Sequence, residues 1–249
     1  MVLTTIAIKR IANDVKYILN NYNALKSENI YYKHDEEIIN KGYAMIIGPK
    51  NTPYQYGFYF FQFKFPDNYP FEPPQVTFLT NDGKMRFNPN LYTNGKVCLS
   101  VLNTWQGDNW TSCQTINSIL LILSTILNDK PLLNEPGVIE PNNNINKYNL
   151  LVSYKNIEFS ILTQYNIIQK IKNDTSILEN ASILYKILYL FSDLFIELFK
   201  NNYEKIINNL NNLNNDLKFI KSIHIFTYNL NYKLNTDILF NDLNKIDFK

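Results

Sequence analysis

The chain has 249 residues, 45% of them apolar, which is enough for one large or two modest packed domains and too apolar for a disordered protein. Its 24 basic and 22 acidic side chains nearly cancel to a formal charge of +2, and no basic stripe interleaved with aromatics stands out, which argues against a nucleic-acid partner. Two cysteines, Cys98 and Cys113, are too few for a disulfide scaffold and fit a reducing setting, cytoplasmic or nuclear; with the two histidines they offer no metal-ligand spacing.

At the N-terminus an apolar run from Val2 to Ile8 precedes Lys9 and Arg10, the reverse of the order in a secretory signal. Ile8, Ile11, Val15, Ile18 and Leu19 recur at three- and four-residue spacing, so an amphipathic helix is predicted from Thr5 to Ala24, with Lys9, Arg10 and Lys16 mostly off its apolar stripe. Strands are predicted at Gly42–Ile47, Phe58–Phe65 and Gln75–Leu79. In the second, Tyr59, Phe61, Phe63 and Phe65 alternate with Phe58, Phe60, Gln62 and Lys64, giving one wholly aromatic face suited to packing under a helix. The chain turns irregular at Asn81-Asp82-Gly83. Ile116, Ile119, Leu120, Leu123 and Leu127 then make a second helical stripe that would cover that face, completing an α+β domain.

Every glycine and proline falls at or before Pro141. A turn-rich domain, residues 1–144, is therefore expected to give way to an all-helical extension, residues 145–249, that packs on it. Its most apolar window, Ile183 to Phe199, is interrupted by Lys186, Asp193 and Glu197 and falls short of the roughly 20 apolar residues of a membrane span, so it is read as a buried helix and no membrane partner is expected. The Asn-rich run from Asn201 to Asn215 reads as a solvated helix.

The chemistry concentrates in Asn88-Pro89-Asn90-Leu91-Tyr92-Thr93-Asn94-Gly95-Lys96-Val97-Cys98-Leu99, which sets amide side chains ahead of a cysteine across a loop shaped by Pro and Gly. A thiol that takes up and passes on an acyl group belongs in such an irregular segment, accessible, with a polar donor where the carbonyl oxygen gains charge. The stretch resembles the active-site loop of ubiquitin-conjugating enzymes. Tyr69-Pro70-Phe71-Glu72-Pro73-Pro74-Gln75-Val76 is similar to the proline-rich loop and strand that precede that site in the family. Asn88-Pro89-Asn90, the inserted Thr104-Trp105-Gln106-Gly107-Asp108-Asn109-Trp110 and Asn134-Glu135-Pro136-Gly137 are similar to the Z-type branch, which includes the conjugating domain of the giant inhibitor-of-apoptosis protein. The match covers roughly residues 5–165 and is strongest from Thr52 to Gly137.

The resemblance implies the ubiquitin-conjugating fold: an N-terminal helix, a four-stranded antiparallel sheet and covering helices. It implies a transferase in which Cys98 carries ubiquitin as a thioester, Asn90 stabilises the oxyanion formed when a lysine attacks, and Glu135 orients that lysine and assists its deprotonation. Asn88, where the family usually has His, and Pro89 would be structural loop residues. Lys9 and Arg10 would dock the activating enzyme. Phe71 and Trp110 would bind a ligase, with Trp110 alternatively a core plug; Thr111-Ser112-Cys113, where ligase binders often carry Ser-Pro-Ala, leaves a RING or HECT type of ligase open. Cys113 would be a small buried residue. No metal and no cofactor are implied, since ATP is used by the activating enzyme; the partners are ubiquitin or a relative, the activating enzyme, a ligase and a substrate lysine.

Alternatives within the resemblance are conjugation of another ubiquitin-like modifier and a non-catalytic module that binds ubiquitin or a ligase, although inactive variants typically lack the cysteine. A thiol hydrolase would need a histidine base, and His34 and His224 lie in no recognisable motif. A scaffold acting through the extension is separated from these by whether residues 1–145 alone keep activity.

Overall fold

The structure, a computed structural model, describes residues 3–248. Met1, Val2 and Lys249 fall outside it, so the Val2 end of the N-terminal apolar run and the outermost residues of both expected domains lie outside the described residues.

Thr4 caps the first helix, α1 (Thr5–Asn20), by accepting from the Ala7 N–H at 3.1 Å, satisfying one of its unpaired donors. The buried stripe is Ala7, Ile11, Asp14 and Ile18, whereas Ile8 and Leu19 face outward. Asn21 interrupts the helix expected to reach Ala24, and α2 (Tyr22–Ser27) follows.

Four strands, β1 (Ile30–His34), β2 (Lys41–Ile47), β3 (Phe58–Lys64) and β4 (Gln75–Phe78), pair antiparallel in that order. Phe61 sits opposite Ala44 on one side and Phe78 on the other, a register in which Tyr59, Phe61 and Phe63 share one face. Both faces are buried: Phe58 and Phe60 are as enclosed as the predicted aromatic face, because the C-terminal region covers them. Thr115 and Ser118 form a reciprocal cap on α3 (Ile116–Thr125), whose buried stripe of Ile116, Ile119, Leu120 and Leu123 lies where α3 meets α1 and β1. This is the α+β architecture that the resemblance implies.

A helix then runs unbroken from Asn143 to Asn173 as α4 (Asn143–Lys155), a π-helical stretch (Asn156–Thr163) and α5 (Gln164–Asn173). Asn156 is fully buried, accepts from the Tyr59 hydroxyl at 2.6 Å and donates to the Gln55 carbonyl at 2.9 Å, and its close approach leaves no room for a side chain at Gly57. The predicted helix from Ile183 to Phe199 is two, α6 (Ile183–Leu190) and α7 (Ser192–Asp216), parted at Phe191. Phe191 and Phe195 close the sheet: Phe195 stacks on Phe58 with centroids 3.8 Å apart and Phe191 packs on Phe60 at 5.8 Å.

The extension departs from an all-helical chain at one hairpin, β5 (Ser222–Ile225) with β6 (Leu230–Lys233), ahead of α8 (Thr236–Asn244). Its turn needs a left-handed residue, and Asn229 supplies it at φ 51° without glycine, so the absence of Gly and Pro hid the turn. Among the described residues no helix is long and apolar enough to cross a membrane.

Candidate active site

Beyond β4 the chain doubles back on itself in a miniature hairpin. Tyr92 N–H donates to the Lys96 carbonyl and Gly95 N–H to the Tyr92 carbonyl, both at 2.9 Å, around a tight turn where Gly95 takes φ 87°. Phe78 N–H donates to the Gly95 carbonyl at 2.8 Å, fixing the turn to β4. The doubling brings Asn90 beside Cys98: Cys98 N–H donates to the Asn90 carbonyl at 2.8 Å, and Asn90 Nδ2 donates to the Cys98 carbonyl at 2.7 Å.

Asn88 braces this arrangement from inside. Fully buried, it donates through Nδ2 to the Tyr54 hydroxyl (3.0 Å) and the Ile126 carbonyl (2.7 Å), and its Oδ1 accepts from Asn90 N–H (2.9 Å). Every bond it makes is one an amide supplies without titrating. Pro89 is buried as well, and its carbonyl accepts from Arg86 Nη2 at 2.6 Å.

The Cys98 thiol is not open, as a sequence-based expectation of an accessible nucleophile has it. It is only 4% exposed, and Sγ donates to the Thr104 carbonyl at 3.2 Å. The cause is the turn that follows: a short 3-10 helix (Ser100–Leu102) and left-handed Asn103 fold Thr104 back, where its hydroxyl accepts from Leu99 N–H at 2.8 Å. Burial pushes the thiol up from its ordinary pKa, against the opposing pull of Lys96, of Arg86 and of a hydrogen bond from Tyr92. Cys113 also reverses its expectation: it is exposed, on the 111–114 turn.

Glu135 follows a 3-10 turn (Pro131–Asn134) and contributes a negative charge that acts on Cys98. Its Oε2 lies 3.9 Å from Arg86 Nη2 and accepts from the Tyr228 hydroxyl at 2.5 Å. The Arg86 guanidinium is held between two rings, 3.9 Å from the Tyr92 centroid and 4.6 Å from that of Tyr228. Cys98, Asn90 and Glu135 thus belong to one neighbourhood, to which sequence reasoning would not have added Arg86, Tyr92, Thr104 or Tyr228. Tyr92 lies inside the motif and Arg86 just ahead of it, but nothing in the sequence links Tyr228 to a residue 93 positions away.

The outlying candidates divide. Lys9 is exposed on α1, but Arg10 is not a free docking cation: Nε meets Asp14 at 2.9 Å, Nη1 donates to the Ser112 carbonyl at 2.6 Å and Nη2 to the Gln114 carbonyl, tying α1 to the chain ahead of α3. Trp110 is the core plug rather than a ligase anchor, 8% exposed, with Nε1 donating to the Pro70 carbonyl at 2.7 Å and its ring against Tyr69. Phe71, one residue on from that carbonyl, stays 65% exposed. His34 bonds Tyr32 and the Ile39 carbonyl, and His224 lies edge-on against Phe226.

A family model described as ubiquitin-conjugating enzyme matches residues 10–154, more than half of the chain. Ubiquitin-conjugating enzyme E2 Z of Xenopus tropicalis is 44% identical over 104 residues, 41% of this chain and 33% of that protein. The human dual E2 ubiquitin-conjugating enzyme/E3 ubiquitin-protein ligase BIRC6 is 37% identical over 135 residues, 52% of this chain and 3% of that protein. A crystal structure of ubiquitin conjugating enzyme E2 from Plasmodium falciparum has 29% identity and a TM-score of 0.41, covering 48% of this chain and 96% of that one. The chain spans about a third or less of the length of the E2 Z relatives it matches.

Proposed function

The chain belongs to the ubiquitin-conjugating enzyme family, alongside its Z-type branch, and we propose that it accepts ubiquitin from an activating enzyme as a thioester on Cys98 and transfers it to a substrate lysine or a ligase cysteine. The observation that carries this reading is the reciprocal pair of hydrogen bonds that sets the Asn90 amide against the Cys98 backbone.

In charging, the Cys98 thiolate attacks the ubiquitin C-terminal carbonyl held as a thioester on the activating enzyme. The activating enzyme's thiolate leaves, and the proton from Cys98 passes to solvent. ATP is consumed by the activating enzyme, and this chain needs no cofactor of its own. In discharge, an uncharged lysine amine adds to the Cys98 thioester, and negative charge develops on the carbonyl oxygen. The Asn90 amide carries two N–H donors, of which the Cys98 carbonyl takes one, leaving a donor for the oxyanion. Glu135 orients the amine and assists loss of its proton, the C–S bond breaks, and Cys98 returns as thiolate.

Lys9 is the docking cation for the activating enzyme in this reading, and exposed Phe71 is the anchor for a ligase of RING or HECT type. Residues 1–144 form the catalytic core and 145–249 an extension packed on it.

Incubating the protein with ubiquitin, ATP and candidate activating enzymes is expected to give a mass increase of one ubiquitin that a thiol reductant removes. Absence of this adduct with every activating enzyme and ubiquitin relative would overturn the reading in favour of a module that binds ubiquitin or a ligase. Asn90→Ala is expected to slow discharge of loaded enzyme to free lysine on the order of 100- to 1000-fold, the scale of losing one oxyanion donor. A loss below tenfold would take Asn90 out of that role.

A further inference from the structure

The turn that joins β5 and β6, Phe226–Tyr228, carries the Tyr228 side chain to the candidate active site. Ile223, Ile225 and Leu230 bury the base of this hairpin, and at its tip the chain splits: Phe226 is 82% exposed, while Tyr228, two residues on, turns inward. Tyr228 there meets two of the charged groups that act on Cys98, Glu135 and Arg86. Its hydroxyl donates to Glu135 Oε2 at 2.5 Å, and its ring lies 4.6 Å from the Arg86 guanidinium, whose other face is covered by Tyr92. Behind it, the Tyr148 ring packs on Tyr228 with centroids 5.9 Å apart, and the Tyr148 hydroxyl donates to the Arg86 carbonyl at 2.6 Å. Burial and the neighbouring carboxylate keep the Tyr228 hydroxyl protonated, so it remains a donor at any working pH.

We propose that Tyr228 is a positioning residue of the transfer centre: its hydroxyl fixes the Glu135 carboxylate and its ring fixes Arg86, so that the C-terminal extension completes the site. This rests on the reading of Cys98, Asn90 and Glu135 given above. A carboxylate that orients an incoming amine is effective only if its own rotation is arrested, because small errors of placement cost large factors in rate. On Glu135 that restraint is a charge-assisted hydrogen bond from a ring wedged between Arg86 and Tyr148. It acts through Glu135, so its loss should appear in the rate of transfer rather than in the lysine concentration needed.

The test loads the full chain, carrying Cys113→Ala so that the exposed second thiol cannot take up ubiquitin, by chemical exchange with a ubiquitin thioester of a small thiol, so that choice of activating enzyme does not enter, and follows discharge over a range of free lysine. Tyr228→Phe keeps the ring and removes only the hydroxyl. It is expected to lower the maximal discharge rate about tenfold with little change in half-saturating lysine. In a Glu135→Ala background the same change is expected to do almost nothing, because the group it positions is gone. Phe226→Ala, at the exposed tip of the same hairpin, is expected to leave discharge unchanged. Parent-like or faster discharge by Tyr228→Phe, an undiminished tenfold loss in the Glu135→Ala background, or an equal loss in Phe226→Ala would each overturn the proposal while leaving the transferase reading intact. Failure of the loaded parent chain to discharge to lysine would instead overturn the lysine-transfer branch of that reading, leaving transfer to a ligase cysteine, and this proposal with it.

Discussion

Cys98→Ala is expected to abolish the reducible ubiquitin adduct, and Cys113→Ala to leave it at full yield. Accessibility alone argues the opposite, since Cys113 is exposed and Cys98 is 4% exposed with its thiol bonded to the Thr104 carbonyl. What favours Cys98 is its surroundings. It has the Asn90 amide on its own backbone, and Lys96 and Arg86 both favour its thiolate. A small alkylating agent offers none of the docking that brings a thioester to Cys98, so at neutral pH it should mark Cys113 first. Because burial raises the Cys98 pKa, its thiolate fraction is still climbing where an ordinary exposed thiol has levelled off, and its alkylation should go on rising with pH above that range. Peptide mapping of both cysteines against pH checks each part. Alkylation of Cys98 ahead of Cys113 at neutral pH would mean that the Thr104 turn does not close over the thiol.

The loop around Cys98 was legible because its determinants are local. Pro89 and Gly95 shape it, and Asn90 and Cys98 meet within one doubled segment, so order along the chain carries their arrangement. Strands β2 to β4 were legible for the same kind of reason, since each is declared locally by a short run of apolar and aromatic residues. The short β1, Ile30-Tyr31-Tyr32-Lys33-His34, was not legible and becomes a strand through its pairing with β2. The partners of Arg10 and Trp110 were not legible, because helical spacing and loop position fix which way a side chain points but not what waits there. Arg10 meets the Ser112 carbonyl 102 residues on, and Trp110 the Pro70 carbonyl 40 residues back. Backbone acceptors of this kind leave no mark on side-chain patterns. The same holds for Tyr228, one tyrosine among 18 until the hairpin carries it to Glu135.

Cutting the chain after residue 144 is expected to leave a core that does not reach a cooperative native state. On the exposed-sheet view of an α+β domain, one face of β3 would be solvated and the cut harmless. Here that face carries Phe58 and Phe60, and both lose the rings that cover them, Phe195 at 3.8 Å and Phe191 at 5.8 Å. Truncating a single buried phenylalanine costs about 3–5 kcal/mol, and a whole domain is stable by only about 5–15 kcal/mol. Polar losses add to this. The buried Tyr59 hydroxyl loses Asn156, an orphan costing about 1–3 kcal/mol unless water reaches it, and the Phe58 carbonyl loses Gln164 Nε2 at 3.3 Å while keeping the Thr80 hydroxyl at 3.2 Å. Phe195→Ala in the full chain isolates one element of the sum and should lower its stability to denaturant by about 3–5 kcal/mol. The full chain should melt cooperatively with a structured near-ultraviolet circular dichroism spectrum, and residues 1–144 should show neither. A truncated core that melts cooperatively and still accepts ubiquitin would make the extension an appended unit. It would also mean that the aromatic residues on that face of β3 tolerate water far better than their burial implies.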